Sequence, residues 1–143
     1  MYQCLNLSHA DAQVMVDAVR RRVEAEKKTA AIAVCDSHGE LIAFLRMDRC
    51  ALPPVQIAIN KAFTAAREQR ASGVVGESAR THPFPMTNYG DLRYTGWAGG
   101  TPVVMEGQVV GAIGISGMDQ EGEVQLGAMA AELVTRAAQG GQP

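Results

Sequence analysis

The sequence predicts an α+β domain: one antiparallel sheet with helices packed on it. Three observations carry this. Apolar residues recur at helical spacing near both ends of the chain and in its middle. Two pairs of apolar runs are each separated by a tight turn, which reads as two hairpins and therefore as antiparallel pairing. The order of signals is helix, hairpin, helix, loop, hairpin, helix, with no internal repeat, low-complexity segment or linker. The chain has 143 residues, and domains typically span roughly 100–200, so residues 1–143 are expected to form a single domain.

The first helix is predicted from about Ser8 to Lys27. Ser8 and Asp11 resemble a capping box, with Asp in place of the more usual Glu. Ala12, Met15, Val16, Val19 and Val23 form its apolar stripe. Ala30 to Cys35 carries no polar residue and reads as a strand buried on both faces. Asp36-Ser37-His38-Gly39 is a turn, and Leu41 to Met47 is the returning strand. Pro53 and Pro54 suit the first turn of a helix, which is predicted to run to about Arg70 with an inner stripe of Ile57, Ala58, Lys61, Ala62 and Ala65. Gly73 and Gly76 are expected to break the helical pattern, leaving a short turn over Gly76 to Arg80.

Thr81 to Gly100 shows no period and reads as a long loop. It nevertheless holds Phe84, Tyr89, Tyr94 and Trp97, four of the chain's seven aromatic residues. A loop of that length in a small domain is usually functional or covers something. Thr101 to Met105, the Glu106-Gly107 turn and Gln108 to Ser116 make the second hairpin. Alternation places Val110, Ala112, Gly114 and Ser116 on one face, and small residues there allow close approach of a helix or a ligand. A last helix is predicted over about Asp119 to Ala138, followed by a frayed tail containing Gly140, Gly141 and Pro143.

Composition narrows the function. The net charge is −2 and the pI about 5.9, so no basic field exists to displace counterions from nucleic acid. No apolar run reaches the roughly 20 residues of a membrane span, and the N-terminus lacks the basic and apolar regions of a signal peptide. The three cysteines, Cys4, Cys35 and Cys50, are odd in number and form no CxxC pair. A reduced cytoplasm fits them better than a disulfide framework. His9, His38 and His82 have no metal-ligand spacing, and no metal site is expected. The partner expected on these grounds is a small molecule.

Three segments, taken together, resemble a known family. They are Arg46-Met47-Asp48, Ile57 to Ala65, and Gly99-Gly100-Thr101-Pro102-Val103-Val104 running on to Val109 through Gly117. In this order and at this separation they resemble the haem-degrading, GlcG-like family, which includes the HbpS haem-binding proteins and the C-terminal domain of PduO-type cobalamin adenosyltransferases. The resemblance covers nearly the whole chain. It implies a profilin-like fold, an antiparallel sheet with helices on both faces, and a homo-oligomer. It also implies haem as a cofactor for some members, while others accompany glycolate, diol or aromatic catabolism. The chain departs from the pattern at Met118, where a second glycine often follows Gly117, and at Gly122-Glu123, where Gln-Asp is expected.

The candidate site residues follow. Lys61 lies on the inner stripe of its helix, where an unpaired ammonium costs several kcal/mol. It therefore meets either a structural partner such as Asp48 or an anionic ligand. Arg46 and Asp48 end a strand near that helix, and Arg46 either forks onto a carboxylate or remains solvated. Gly114, Ser116 and Gly117 lead from strand to helix, where N–H groups suit anions but where tight turns also need glycine. With Gly100 they join the candidate ligand-binding set. His82, Phe84, Met86, Tyr89, Tyr94 and Trp97 either line a flat apolar pocket, with His, Tyr or Met available to haem iron, or form a subunit interface. Cys35 is expected to be inert and His9 and His38 to lie on the surface.

Three functions remain open at this point. One is a binding protein for haem or another flat anionic cofactor. The second is a cofactor-independent acid–base enzyme of organic-acid or aromatic-compound catabolism, with His82 and Lys61 as its catalytic groups. The third is an oligomeric scaffold without a ligand.

Overall fold

The computed structural model describes residues 1–140. Its elements are α1 (His9–Ala25), β1 (Ala31–Asp36), β2 (Leu41–Arg46), α2 (Pro53–Arg67), α3 (Ser72–Thr81), a 3₁₀ turn (Met86–Tyr89), β3 (Gly100–Met105), β4 (Gln108–Ser116) and α4 (Gln120–Gly140). The two predicted hairpins are present, and a long-range pairing joins them. β1 lies antiparallel to β4, with Ala31 opposite Ser116 and Asp36 opposite Gly111. The sheet order is therefore β2-β1-β4-β3. The hairpin strands β2 and β3 end up on the edges, and Pro102, which has no N–H to give a ladder, sits on edge strand β3.

Alternation along β1 feeds two different cores. Ile32 and Val34 face a large-residue core with Val103, Ile113 and Ile115, covered by Met15, Val19 and Val23 of α1 and Leu126, Ala130 and Val134 of α4. Ala31, Ala33 and Cys35 face the other side, where Ala58, Ala62, Ala65 and Ala66 of α2 cover them together with Ala112. Helices thus cover both faces of a single antiparallel sheet, as predicted. The α2 side is built for close approach: a Cβ at Gly114 would lie 2.1 Å from the Ala58 carbonyl oxygen, and one at Gly100 would lie 2.2 Å from that of Lys61. The small residues of β4 admit a helix backbone.

The structure corrects the sequence reading in three places. α3 is a helix of 10 residues that runs through Gly73 and Gly76. These glycines are contact points: a Cβ on Gly76 would lie 2.1 Å from the Gly96 carbonyl oxygen, and one on Gly73 would lie 2.8 Å from the Ala98 Cβ. Val110 belongs to the large-residue core, because the register shifts at Val103/Val104. Val110 is the extra residue of that bulge, and alternation fails across it. Gly140 is the last residue of α4, while the rest of the predicted tail, Gly141 and Pro143, lies outside the described residues.

The capping box forms as read. Asp11 N–H donates to Ser8 Oγ at 3.2 Å, and Ser8 N–H donates back to Asp11 Oδ2 at 2.9 Å. The long loop is tied down at several points. Tyr94 stacks on Tyr89 at 4.2 Å and meets Phe63 edge-on at 5.2 Å. Thr95 N–H donates to Thr64 Oγ1 at 2.9 Å. Ser72 Oγ donates to the Trp97 carbonyl and accepts from Gly100 N–H.

A Gly114→Ala substitution is expected to force α2 off the sheet and cost about 3 kcal/mol, the upper end of overpacking penalties. Gly140→Ala, with nothing within 4 Å of the added methyl, is expected to be neutral or slightly stabilising. Urea denaturation of the two variants measures the contrast.

Candidate functional site

Lys61 lies in the middle of α2, pressed against the end of the sheet where β4 leaves and β3 enters. Its side chain is buried, 1% exposed, so its charge requires partners. Nζ donates to the Ile115 carbonyl at 2.9 Å and to Glu123 Oε2 at 2.6 Å. Glu123 is buried as well, and its Oε1 accepts from Met118 N–H at 3.0 Å. The partner of Lys61 is therefore Glu123 and not Asp48. Spacing favoured Asp48 because it is close in sequence. Glu123 is brought in by the turn from β4 into α4, a long-range fact.

That turn is held by its own cap. Gly122 N–H donates to Asp119 Oδ1 at 2.9 Å, and Lys28 approaches Asp119 at 3.4 Å. The Gly122 bond first, and Lys28 after it, hold the Asp119 carboxyl below its ordinary range. Gly99 closes the pair from the other side. It has φ 112°, and a Cβ there would lie 3.0 Å from both Lys61 Nζ and Glu123 Oε2. Only glycine fits that conformation and that space.

Above the ion pair opens a cleft of about 350 Å³. Pro53, Pro54 and Ile57 form one wall, while Trp97, Ala98 and Met118 form another. Ser116 and Gly117 lie at its end. A second hollow of about 320 Å³, with Arg80 and Gly96, shares Trp97, Ala98 and Gln120 with the first. The Trp97 side is thus a ridge between two hollows, and Trp97 is 66% exposed. A large aromatic residue left in solvent between concave surfaces is well suited to stack on a flat ligand.

The structure brings together Lys61, Trp97, Ser116 and Gly117 from the predicted set. Gly100 and Gly114 lie behind them, packed against the α2 backbone. His82 caps the C-terminus of α3 in the open, with Nδ1 3.1 Å from the Ser78 carbonyl. Phe84 is exposed, Met86 and Tyr89 lie in the 3₁₀ turn, and Tyr94 packs on Phe63. The aromatic loop therefore divides, with Trp97 at the cleft and Tyr89 and Tyr94 on the α2 flank. Arg46 and Asp48 line a different groove beside α1. Sequence reasoning missed Glu123, Met118, Ala98, Arg80 and the proline wall. The available signals were Met118 and the acid at position 123, noted only as departures from the family pattern. Among the described residues, no group of three or more His, Cys, Asp or Glu is placed to hold a metal ion.

Comparison with known proteins now places the chain. Residues 7–132 match the family model described as haem degrading protein HbpS-like. The chain belongs to the HbpS-like family. Protein GlcG of Escherichia coli strain K12 is 34% identical over 116 residues, covering 77% of this chain and 81% of GlcG. The crystal structure of a Streptomyces reticuli HbpS double mutant superimposes with a TM-score of 0.84 at 25% identity, covering 93% of this chain and 90% of that one. A PduOC:heme complex shares the fold, with a TM-score of 0.82 at 21% identity over 90% of this chain and 94% of that one.

Removing one partner of the buried pair leaves an uncompensated charge. Lys61→Met and Glu123→Leu are each expected to cost about 3–5 kcal/mol, and the double variant much less than their sum. A denaturation cycle of the three proteins checks this. Cys35 gives a second prediction. Burial, the main cause, pushes its thiol from 9.0 up to about 12. The protonated thiol therefore favours the fold in full below pH 9.0, and this contribution is lost as pH rises toward about 12. Stability measured from pH 8 upward is expected to fall across that window. Thiol labelling of the native protein is expected to reach exposed Cys4 and to spare Cys35.

Proposed function

We propose that this chain binds haem or another flat anionic tetrapyrrole in the cleft beside Trp97. One observation carries the reading: an exposed indole stands over an apolar cleft whose polar floor is already neutralised. The residues present fit such a group. Pro53, Pro54, Ile57 and Ala98 offer apolar walls to a macrocycle. Met118 offers a thioether, a known class of haem-iron ligand. Because Lys61 is committed to Glu123 in a buried pair, acidic substituents would be met across the Trp97 ridge by Arg80, whose pair with Glu77 is exposed to solvent and open to exchange. The two hollows together fall in the range of small-molecule sites, roughly 300–1,000 Å³. Family membership and the haem complex of a protein of this fold support the same ligand. When bound, haem would supply a redox-active iron able to take an exogenous ligand; the chain's own part is to stack, exclude water and orient.

The same reading takes the protein as a cytoplasmic homo-oligomer. Free Cys4, Cys35 and Cys50 support the reduced compartment, and exposed Phe84 and Leu92 support self-association. No helix among the described residues is long and apolar enough to cross a membrane.

A second reading, a cofactor-independent acid–base enzyme of organic-acid or aromatic-compound catabolism, has one observation in its favour. An ammonium and a carboxylate share the floor of the cleft. Lys61 and Glu123 would be its proton-transfer groups, since His82 lies in the open at the end of α3.

Titration with haemin, followed by absorbance, separates these readings. A saturable red-shifted Soret band at a simple haem-to-subunit ratio is the expected result. Trp97→Ala is expected to weaken binding about tenfold, the equivalent of one good aromatic contact. Met118→Leu is expected to move the band. Absence of saturable binding ends the haem reading and directs screening to small carboxylates.

A further inference from the structure

A groove of about 570 Å³ runs between the C-terminal end of α1 and the end of β2. It shares no lining residue with the Trp97 cleft. We propose that it is a separate binding site for a compact multivalent anion, of the phosphate-ester or polycarboxylate class. The chain as a whole is net negative, yet this groove gathers five cationic side chains against the carboxylates of Glu24 and Asp48.

The five cations differ in what they already hold. Arg20 is matched by Glu24 at 2.7 Å and Asp17 at 3.6 Å, and Lys28 by Glu26 at 3.1 Å and Asp119 at 3.4 Å. Lys27, Arg46 and Arg49 make no ion pair among the described residues. Three uncommitted cations on one concave surface suit a ligand with two or three negative charges, and two of the three are guanidinium forks, which match phosphate and carboxylate oxygens in pairs. Asp48 sets a limit on this field. It keeps the site from being a general polyanion patch and favours a ligand small enough to sit beside the arginines.

The backbone points the same way. Lys27 has φ 54° and Arg49 has φ 63°, in the left-handed region that glycine ordinarily fills. Lys27 is the first residue past the cap of α1, the position where helices commonly place glycine. Its N–H donates to the Glu24 carbonyl at 2.9 Å, and Lys28 N–H donates to that of Val23 at 3.0 Å. With Glu26 N–H donating to the Arg22 carbonyl at 3.2 Å, three carbonyls of the last turn are thereby taken up. Two cations thus occupy unfavourable backbone positions on the walls of one groove, where glycine would be easier on the fold. Strain of this kind collects at functional sites. The groove is also anchored: Thr29 Oγ1 donates to the Asp48 carbonyl at 2.9 Å, and Met47 N–H donates to that of Ala30 at 3.0 Å.

Calorimetric titration of the full chain with inorganic pyrophosphate, and separately with citrate, at fixed low ionic strength, tests the site. One saturable event per chain is expected, weakening as salt is added. Tighter pyrophosphate binding assigns the phosphate-ester class, and tighter citrate binding the polycarboxylate class. The double variant Arg46→Gln/Arg49→Gln is expected to lose at least about tenfold in affinity. Lys27→Gly is expected to weaken binding while raising the melting temperature, a pairing that a purely structural lysine would not give. Arg21→Gln, in the hollow shared with Leu133, is the control and is expected to bind like the wild type. The proposal is overturned if neither anion saturates, if both groove variants bind at full strength, or if Arg21→Gln weakens binding equally.

Discussion

The arrangement of this molecule depends on one buried ion pair. Lys61 and Glu123 meet at 2.6 Å, almost fully removed from solvent. The ammonium reaches Ile115 in β4, and the carboxylate reaches the backbone of Met118. A helix from one side of the sheet, the end of its central strand and the helix on the other side therefore converge on two side chains. Charge burial is rarely a net source of stability, but an unmet partner is severely unfavourable. The pair accordingly acts as a constraint: any packing of α2 against α4 that separates the two groups leaves a buried charge behind.

That constraint explains residues that otherwise look like ligand contacts. Gly99 leaves the pair its space, and Gly100 and Gly114 let α2 come close enough for Lys61 to reach. The alanines of α2 serve the same end from the helix side. The cleft is a by-product of this convergence, a gap left where α2, the 97–98 segment and the turn into α4 cannot all touch. It is floored by a pair that is already neutral, so it offers a ligand apolar walls more than charge.

Much of this was legible in the sequence because it is periodic or local. The stripe Met15, Val19 and Val23, the unbroken apolar run of β1, the Glu106-Gly107 turn and the Ser8–Asp11 cap are all short-range signals, and each element they predict is present. The inward placement of Lys61 was also readable from its helical face. What could not be read is what long-range pairing decides. Glu123 becomes the partner of Lys61 only because β1 pairs with β4 and the turn after Ser116 folds back over α2. Gly73 and Gly76 looked like helix breakers because their reason lies at Gly96 and Ala98, which come later in the chain. Val110 was misplaced because a bulge changes the count without leaving a mark in the hydrophobic pattern.

The position of Trp97 has an optical consequence. It is the chain's single tryptophan, and it stands mostly in water at the rim of the cleft. In most small proteins the indole is buried, so its emission moves to longer wavelength when the chain unfolds. Here the native indole already emits from a wet surface, and loss of the fold changes its surroundings little. A molecule seated in the cleft would change them a great deal. The intrinsic fluorescence of this protein is therefore better placed to report occupancy of that cleft than unfolding, and folding is better followed by circular dichroism or heat capacity.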